Sequence, residues 1–212
     1  MSSPSFLIEK SPAFLTKPDG YEHRPALFGP VPFGDSIVGT VYYSVSSLCE
    51  KTVDNILVGP EPVIFMVDRG DCTFVRKTRN AQLAGAIAVV VADNVCRCSD
   101  QLCLDDTPEP DSCQPEQPIL ADDGSGSDIS IPTILLSKYD ADQIKAALAS
   151  DENVVMDLSW EVPLVTVVNY TLLTAPYDLF GTEFILSFRA VGLSLAGSAV
   201  FTPLMFIYDG ER

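Results

Sequence analysis

The chain has one histidine, one tryptophan, and only 13 lysines and arginines against 29 aspartates and glutamates in 212 residues. Each scarcity excludes something. The single imidazole, His23, lies in a segment that reads as loop, so no Ser-His-Asp or Cys-His constellation assembles and no catalytic residue is assigned. It also leaves nothing with which to build an imidazole pH switch. A net charge of −16 argues against nucleic acid, because that affinity rests on Lys and Arg neutralising phosphates. Long apolar runs are scarce too. Residues 190–208 carry no charge and nearly match a bilayer in length, but Gly192, Ser194, Gly197, Ser198, Thr202 and Pro203 interrupt them. The stretch reads as a helix end, a turn and a buried strand. No metal site and no cofactor is expected.

What is present suffices for a folded α/β protein. Hydrophobic residues make up 47% of the chain, which excludes a disordered one. The acidity reads mainly as solubility. Six cysteines, Cys49, Cys72, Cys96, Cys98, Cys103 and Cys113, form an even set in loop-rich sequence, which favours disulfides and an oxidising compartment. Asn169-Tyr170-Thr171 is a glycosylation acceptor triplet.

The sharpest local signal runs from residue 62 to residue 93. Pro62-Val63-Ile64-Phe65-Met66-Val67 reads as a strand covered on both faces. Asp68-Arg69-Gly70-Asp71-Cys72 is a tight turn in which Gly70 tolerates positive φ. Thr73 can cap the helix that follows, and Gly85 ends it. Ala86-Ile87-Ala88-Val89-Val90-Val91-Ala92 is a second buried strand, expected to pair in parallel with the first. The only basic cluster, Arg69, Arg76, Lys77 and Arg79, falls in this turn and helix. Lys77 and Arg79 read as a solvated helix face.

Elsewhere, residues 6–10 read as a first strand, 13–16 as a possible second, and 18–35 as a long loop. Residues 36–45 are β-branched and aromatic, hence a strand. Residues 94–130 are irregular, proline-rich and carry four cysteines, so internal crosslinks are needed to hold them. A strand over 131–136 precedes a helix capped by Ser137, with Asp140 three residues on, running to about residue 149. Tyr139, Ile144, Ala147 and Leu148 would face its core. A strand over 153–160 closes this part. A second strand–helix–strand unit follows, with strands at 162–173 and 200–209 and a helix capped by Thr182. It is too short to close a sheet of its own.

These residues resemble the protease-associated domain. The match lies in the Arg69-Gly70-Asp71-Cys72-Thr73-Phe74 turn, the Asn80-Ala81-Gln82-Leu83-Ala84-Gly85 helix end and the valine-rich strand ending in Asp93-Asn94. Further segments resemble vacuolar sorting receptors in order along the chain. They include Phe6-Leu7-Ile8-Glu9-Lys10, Gly39-Thr40-Val41-Tyr42-Tyr43, Asp106-Thr107-Pro108-Glu109, Ile129-Ser130-Ile131-Pro132, Asp157-Leu158-Ser159-Trp160 and Phe201-Thr202-Pro203. The cysteines at 96–113 and the cysteine-free residues 162–212 depart from that pattern. The resemblance implies a protease-associated domain at residues 1–161, a β-sheet or barrel-like core with flanking short helices. Residues 162–212 would open a truncated thioredoxin-like α/β domain.

The function so implied is non-catalytic recognition of sorting peptides of soluble cargo, in the lumen of the secretory pathway. Membrane attachment would come only through a segment outside this chain. The alternative is a protease-associated module of a membrane protease or a RING-type ubiquitin ligase. Residues 1–4 show no signal peptide, so a lumenal protein is expected to be represented here by a piece.

The candidate cargo site is Arg69, Gly70, Asp71 and Cys72. A turn that ends at a helix start displays free N–H groups and a positive dipole end. Arg69 is expected to present a free guanidinium fork there, and Asp71 to contact a basic residue of the peptide. Phe74 reads as a core anchor. Cys72 beside Arg69 could be a reactive thiol; the resemblance implies instead a disulfide to Cys49, worth about 3 kcal/mol. Cys96, Cys98, Cys103 and Cys113 could bind zinc as four thiolates, but their spacing lacks paired knuckles, and two disulfides are preferred with the partners of Cys96 and Cys98 left open. Asp68 and Asp93 end adjacent strands; capping and turn roles are preferred to an acid pair. The tripeptide Arg69-Gly70-Asp71 as an integrin ligand is set aside, since Gly70 has a structural task.

Overall fold

The computed structural model describes residues 6–9, 12–45, 47–50, 61–106, 112–160, 167–175, 178–195 and 197–205. The chain divides into two compact units, Met1–Val162 and Pro163–Arg212. In the first unit the elements in chain order are β1 (Phe6–Glu9), β2 (His23–Pro25), β3 (Ser36–Ser44), β4 (Val63–Asp68), α1 (Phe74–Leu83) and β5 (Ala88–Ala92). Then come β6 (Cys96–Arg97), α2 (Gln101–Asp105), β7 (Cys113–Gln114), β8 (Thr133–Leu136), α3 (Lys138–Ala149) and β9 (Val155–Ser159).

Seven strands form one sheet in the order β1-β9-β3-β4-β5-β8-β2. Its middle, β3-β4-β5-β8, is parallel, and both flanks are antiparallel. The parallel strands are apolar throughout because both faces are covered, and the two-residue period sorts their side chains. Ile64, Met66, Val90, Ile134 and Leu136 face one core with Ile144 and Ala147 of α3. Phe65, Val67, Val89, Val91 and Leu135 face the other with Val75 and Ala81 of α1.

The β4–α1–β5 unit stands where the sequence puts it, with β4 and β5 parallel. Thr73 caps α1 by accepting the Arg76 N–H, and Gly85 follows the helix at φ +94°. Ser137 caps α3 by accepting the Asp140 N–H. Ile144 and Ala147 are buried in that helix, whereas Tyr139 and Leu148 are half-buried.

Three expectations change in this unit. Residues 13–15 form a 3-10 turn rather than a strand, closed by Leu15 N–H donating to Pro12 C=O and anchored by the buried Leu15. The expected loop at 18–35 contains β2, an edge strand paired with β8. Pro25 fits there because an edge residue needs ladder bonds on one side only. Residues 94–130 are not wholly irregular: β6 and β7 pair in parallel, aligning Cys96 with Cys113 and Arg97 with Gln114. The segment 106–109 falls largely outside the described residues.

The second unit contains β10 (Val168–Thr174), α4 (Leu179–Ser194) and β11 (Ala199–Met205), with β10 and β11 parallel. Here α4 starts a turn earlier than expected. Asp178, not Thr182, is its cap: its carboxylate accepts the Phe180 N–H, while the Thr182 hydroxyl, one turn inside the helix, donates to the Asp178 carbonyl. Tyr170 stacks on Phe201, and Phe184 on Phe188. Asn169 is exposed on β10, in a strand rather than a loop. Residues 162–166 and 206–209, parts of the expected strands, lie outside the described residues. Among the described residues no helix is long and apolar enough to cross a membrane.

Candidate functional site

The turn between β4 and α1 is built from opposed constraints. Arg69 N–H donates to Ala92 C=O, which extends the β4–β5 ladder by one bond. The chain must then reverse, and it does so through two residues of positive φ, Gly70 at +114° and Asp71 at +64°. Glycine adopts this region freely and aspartate better than most. Cys72 N–H closes the bend on Gly70 C=O at 2.8 Å. Cys72 is bonded to Cys49, 23 positions upstream, so the bend is crosslinked to the loop after β3. Phe74 is partly buried and packs on the α1-side core.

Arg69 departs from expectation. Its guanidinium is not free: Nη1 donates to Asp93 Oδ1 at 2.9 Å and to Gln114 Oε1 at 2.8 Å. The Asp93 side chain is only 1% exposed, and its Oδ1 also accepts the Asn94 and Val95 N–H groups. The Gln114 amide nitrogen donates to Asp93 Oδ2 and to Val95 C=O. A buried carboxylate needs such compensation, so the cation belongs to the fold as well as to the surface. Asp68 and Asp93 are therefore not an acid pair. Asp68 instead accepts the Tyr43 hydroxyl at 2.7 Å and pairs with Lys145. Burial works to raise the Asp68 carboxyl, but the Lys145 and Tyr43 contacts outweigh it and hold the group below its usual range. The same carboxylate and the desolvation of the phenol push Tyr43 up to about 12.

Lys77 corrects the solvated-face reading. It is fully buried, with Nζ donating to Ser47 C=O at 2.6 Å and lying 3.7 Å from Cys49 Sγ. One turn on, the Asn80 amide donates to Leu48 C=O and to Glu50 C=O. Two polar side chains of α1 thus hold the Cys49 loop from beneath. Burial lowers the Lys77 pKa, opposed by the charges of Asp71 and Asp68. Arg79 is partly exposed but engaged, making two 2.7 Å bonds with the Asp128 carboxylate and one to Ser125 C=O. On the same rim, Thr73 donates its hydroxyl to Asp123 Oδ2 at 2.6 Å. Hydrogen bonds from Ser125 and Thr73 keep the Asp123 carboxyl below its ordinary range.

The remaining cysteines form Cys96–Cys103 and Cys98–Cys113, the pairing left open by spacing alone. Zinc ligation is thereby replaced, and among the described residues no cluster of His, Cys, Asp or Glu could hold a metal. The second bond is the one that carries Gln114 to Arg69, because Gln114 follows Cys113 directly. Gln114, Asp123 and Asn80 were not legible as site residues; no local pattern ties them to Arg69, Thr73 and Leu48, which lie 45, 50 and 32 positions away.

Around the bend, several amide hydrogens remain. Among the described residues the N–H groups of Gly70, Asp71, Phe74 and Val75 have no recorded hydrogen-bond partner, consistent with the first turn of a helix. Gly70 and Asp71 are exposed, so their amide hydrogens are open to a ligand, whereas Val75 is fully buried; the Asp123 carboxylate adjoins the bend through its bond from Thr73.

A crosslinked turn of this kind on a seven-stranded mixed sheet places the chain in a family. Residues 38–144, half of the chain, match the PA domain, and the chain belongs to that family. More particularly, it is similar to vacuolar-sorting receptors. It is 31% identical to vacuolar-sorting receptor 3 of Arabidopsis thaliana over 220 residues, covering 93% of this chain and 33% of the relative. It is 30% identical to vacuolar-sorting receptor 1 of Pisum sativum, covering 96% of this chain and 34% of that one. The chain thus spans about a third of the length of the curated relatives it matches. Among solved structures, an aminopeptidase from Aneurinibacillus sp. strain AM-1 is 15% identical with a TM-score of 0.48, covering 82% of this chain and 38% of the enzyme.

Proposed function

We propose that this chain is the non-catalytic, lumenal peptide-binding region of a vacuolar-sorting-receptor-like protein, and that the bend at Arg69, Gly70, Asp71 and Cys72 holds the sorting peptide of a soluble cargo protein. The observation that carries this is the pair of exposed, unengaged amide hydrogens of Gly70 and Asp71 on a bend pinned by Cys49–Cys72. An extended peptide can place its carbonyls on those donors with little ordering cost, since the bend is already rigid. Arg69 has a different part from the one its sequence position suggests. Held by Asp93 and Gln114, it fixes the bend and offers only its remaining edge to a ligand. Asp71, exposed at the tip, favours a basic residue in the peptide. Domain 1–161 supplies this site; the role of residues 162–212 as the start of a thioredoxin-like domain belongs to the same proposal.

The test is calorimetric titration of the chain with short synthetic peptides that differ in one position, arginine, glutamine or glutamate. Asp71→Asn keeps a residue that tolerates positive φ and removes the charge. The arginine peptide should bind the parent chain best and lose about threefold to tenfold on Asp71→Asn, with an unchanged melting temperature. Peptide binding that is indifferent to both the substitution and the peptide charge would overturn the assignment.

A further inference from the structure

The Cys49–Cys72 disulfide differs from the other two in its surroundings. Cys96 and Cys103 are 2% and 3% exposed, sealed inside the β6–α2 staple, while Cys98–Cys113, with Cys98 exposed, has no ammonium contact among the described residues. Cys49 and Cys72 are both half-buried, and their neighbours Glu50, Asp71 and Thr73 are exposed. The two sulfurs are also unlike each other. Cys49 Sγ lies 3.7 Å from the buried Lys77 Nζ, and it is the one sulfur with an ammonium contact among the described residues. Cys72 adjoins the exposed, charged Asp71 and the first turn of α1.

That asymmetry has a chemical meaning. In thiol–disulfide exchange the incoming thiolate bonds to one sulfur and the other departs with the electron pair. The sulfur whose thiolate is better stabilised is the better leaving group. A buried ammonium against Cys49 favours departure from that side, because it is a full charge, whereas Cys72 has only the partial charge of the α1 terminus, offset by Asp71, and an Arg69 already held by Asp93 and Gln114. We propose that Cys49–Cys72 is a polarised thiol-exchange site, at which a small neutral or cationic thiol modifies Cys72 and releases Cys49 as a thiolate paired with Lys77. The bonds balance: the thiolate RS⁻ attacks Cys72 Sγ, an RS–Sγ bond forms, the Cys49–Cys72 bond breaks, and the electron pair resides on Cys49. The small thiol is the only co-reactant.

The choice of thiol follows from charge. Among the described residues the charged groups around the pair are Asp71 at the turn, Glu50 beside Cys49 and Lys77 beneath, with Asp68 at the end of β4 acting on Lys77 through its charge, in a chain of net charge −16. An anionic thiol meets repulsion at Asp71; a cationic one is drawn in. With the disulfide intact, burial lowers the Lys77 pKa; a thiolate at Cys49 would give that ammonium its counter-ion. The consequence for the fold is local. Ser47, Leu48 and Glu50 stay tied to Lys77 and Asn80, so the Cys49 loop stays in place while the Gly70–Cys72 bend is freed from it.

The proposal does not depend on peptide binding, and its test reads only the sulfur chemistry. The chain is exposed briefly to cysteamine or to 2-mercaptoethanesulfonate at equal thiolate concentration, quenched with iodoacetamide, and mapped by peptide mass spectrometry. Cysteamine should be found on Cys72 and carbamidomethyl on Cys49, with at least a fivefold excess over the reverse pattern. Cysteamine should also react at least threefold faster than the sulfonate. Lys77→Met should erase the regiochemical bias and Lys77→Arg should keep it. Should Lys77→Met fail to fold, Cys72→Ser isolates Cys49 with Lys77 intact. Its thiolate absorbance should then titrate below the ordinary cysteine value of about 8.5. An even adduct distribution in the parent chain, or a Cys49 that titrates at or above the ordinary value, overturns the proposal.

Discussion

Removing the Arg69 guanidinium tests whether the bend is braced from behind. In Arg69→Ala the Asp93 carboxylate, 1% exposed, loses the one side-chain cation it has among the described residues and keeps the Gln114 amide with the N–H groups of Asn94 and Val95. Breaking one member of a buried ion pair costs about 3–5 kcal/mol. Two features reduce that figure. The Arg69 side chain is 28% exposed, so part of its Coulomb gain is already screened, and three donors remain on the acid. A loss of about 2–3 kcal/mol follows, since hydrogen bonds to charged groups contribute about 1.5–3 kcal/mol each. For a unit of this size the melting temperature falls about 2–4 °C per kcal/mol, or about 5–10 °C in all. Differential scanning calorimetry measures it. A cycle with Asp93→Asn and the double variant should show a coupling of about 2 kcal/mol, because the carboxamide no longer needs the cation. If Arg69→Ala melts within about 1 °C of the parent chain, Asp93 does not depend on Arg69, and the guanidinium is a ligand-facing group after all.

Three further outcomes are expected. Thr73→Ala removes both the α1 cap and the hydroxyl bond to Asp123, and should cost about 1–2 kcal/mol in urea unfolding. Asp68→Asn should lose stability relative to the parent chain only where the parent carboxylate is ionised. Its folded pKa is depressed, so the unfolded state takes up the proton first, and the contribution is full above the unfolded value of about 3.9 and vanishes as pH falls through the folded value. Thermal melts from acid to neutral pH should therefore show the two proteins converging at low pH. Asn80→Leu strands the buried Leu48 carbonyl and the Glu50 carbonyl without a donor, and should cost about 1–3 kcal/mol in urea unfolding while slowing reformation of Cys49–Cys72 after reduction.

The chain's own order of residues specified those features whose causes lie within a few positions. The continuous apolar runs at 63–67 and 88–92 need no partner to be read, and the two-residue period of a strand places Phe65 and Ile64 on opposite faces of β4. Thr73, Ser137 and Gly85 announce helix ends because caps and left-handed residues act over one turn. The charge and the lone histidine narrowed the expected chemistry without any fold. Three-dimensional closure decided the rest. Arg69 meets Asp93 and Gln114 across 24 and 45 positions, Lys77 reaches Ser47 across 30, and β2 becomes a strand only by lying against β8. Which cysteine takes which partner was likewise decided by the folded chain: β6 and β7 align Cys96 with Cys113, yet Cys113 is bonded to Cys98 and Cys96 to Cys103. A buried charge or a crosslink is defined by what the folded chain brings to it from far away, and no short window of sequence contains that information.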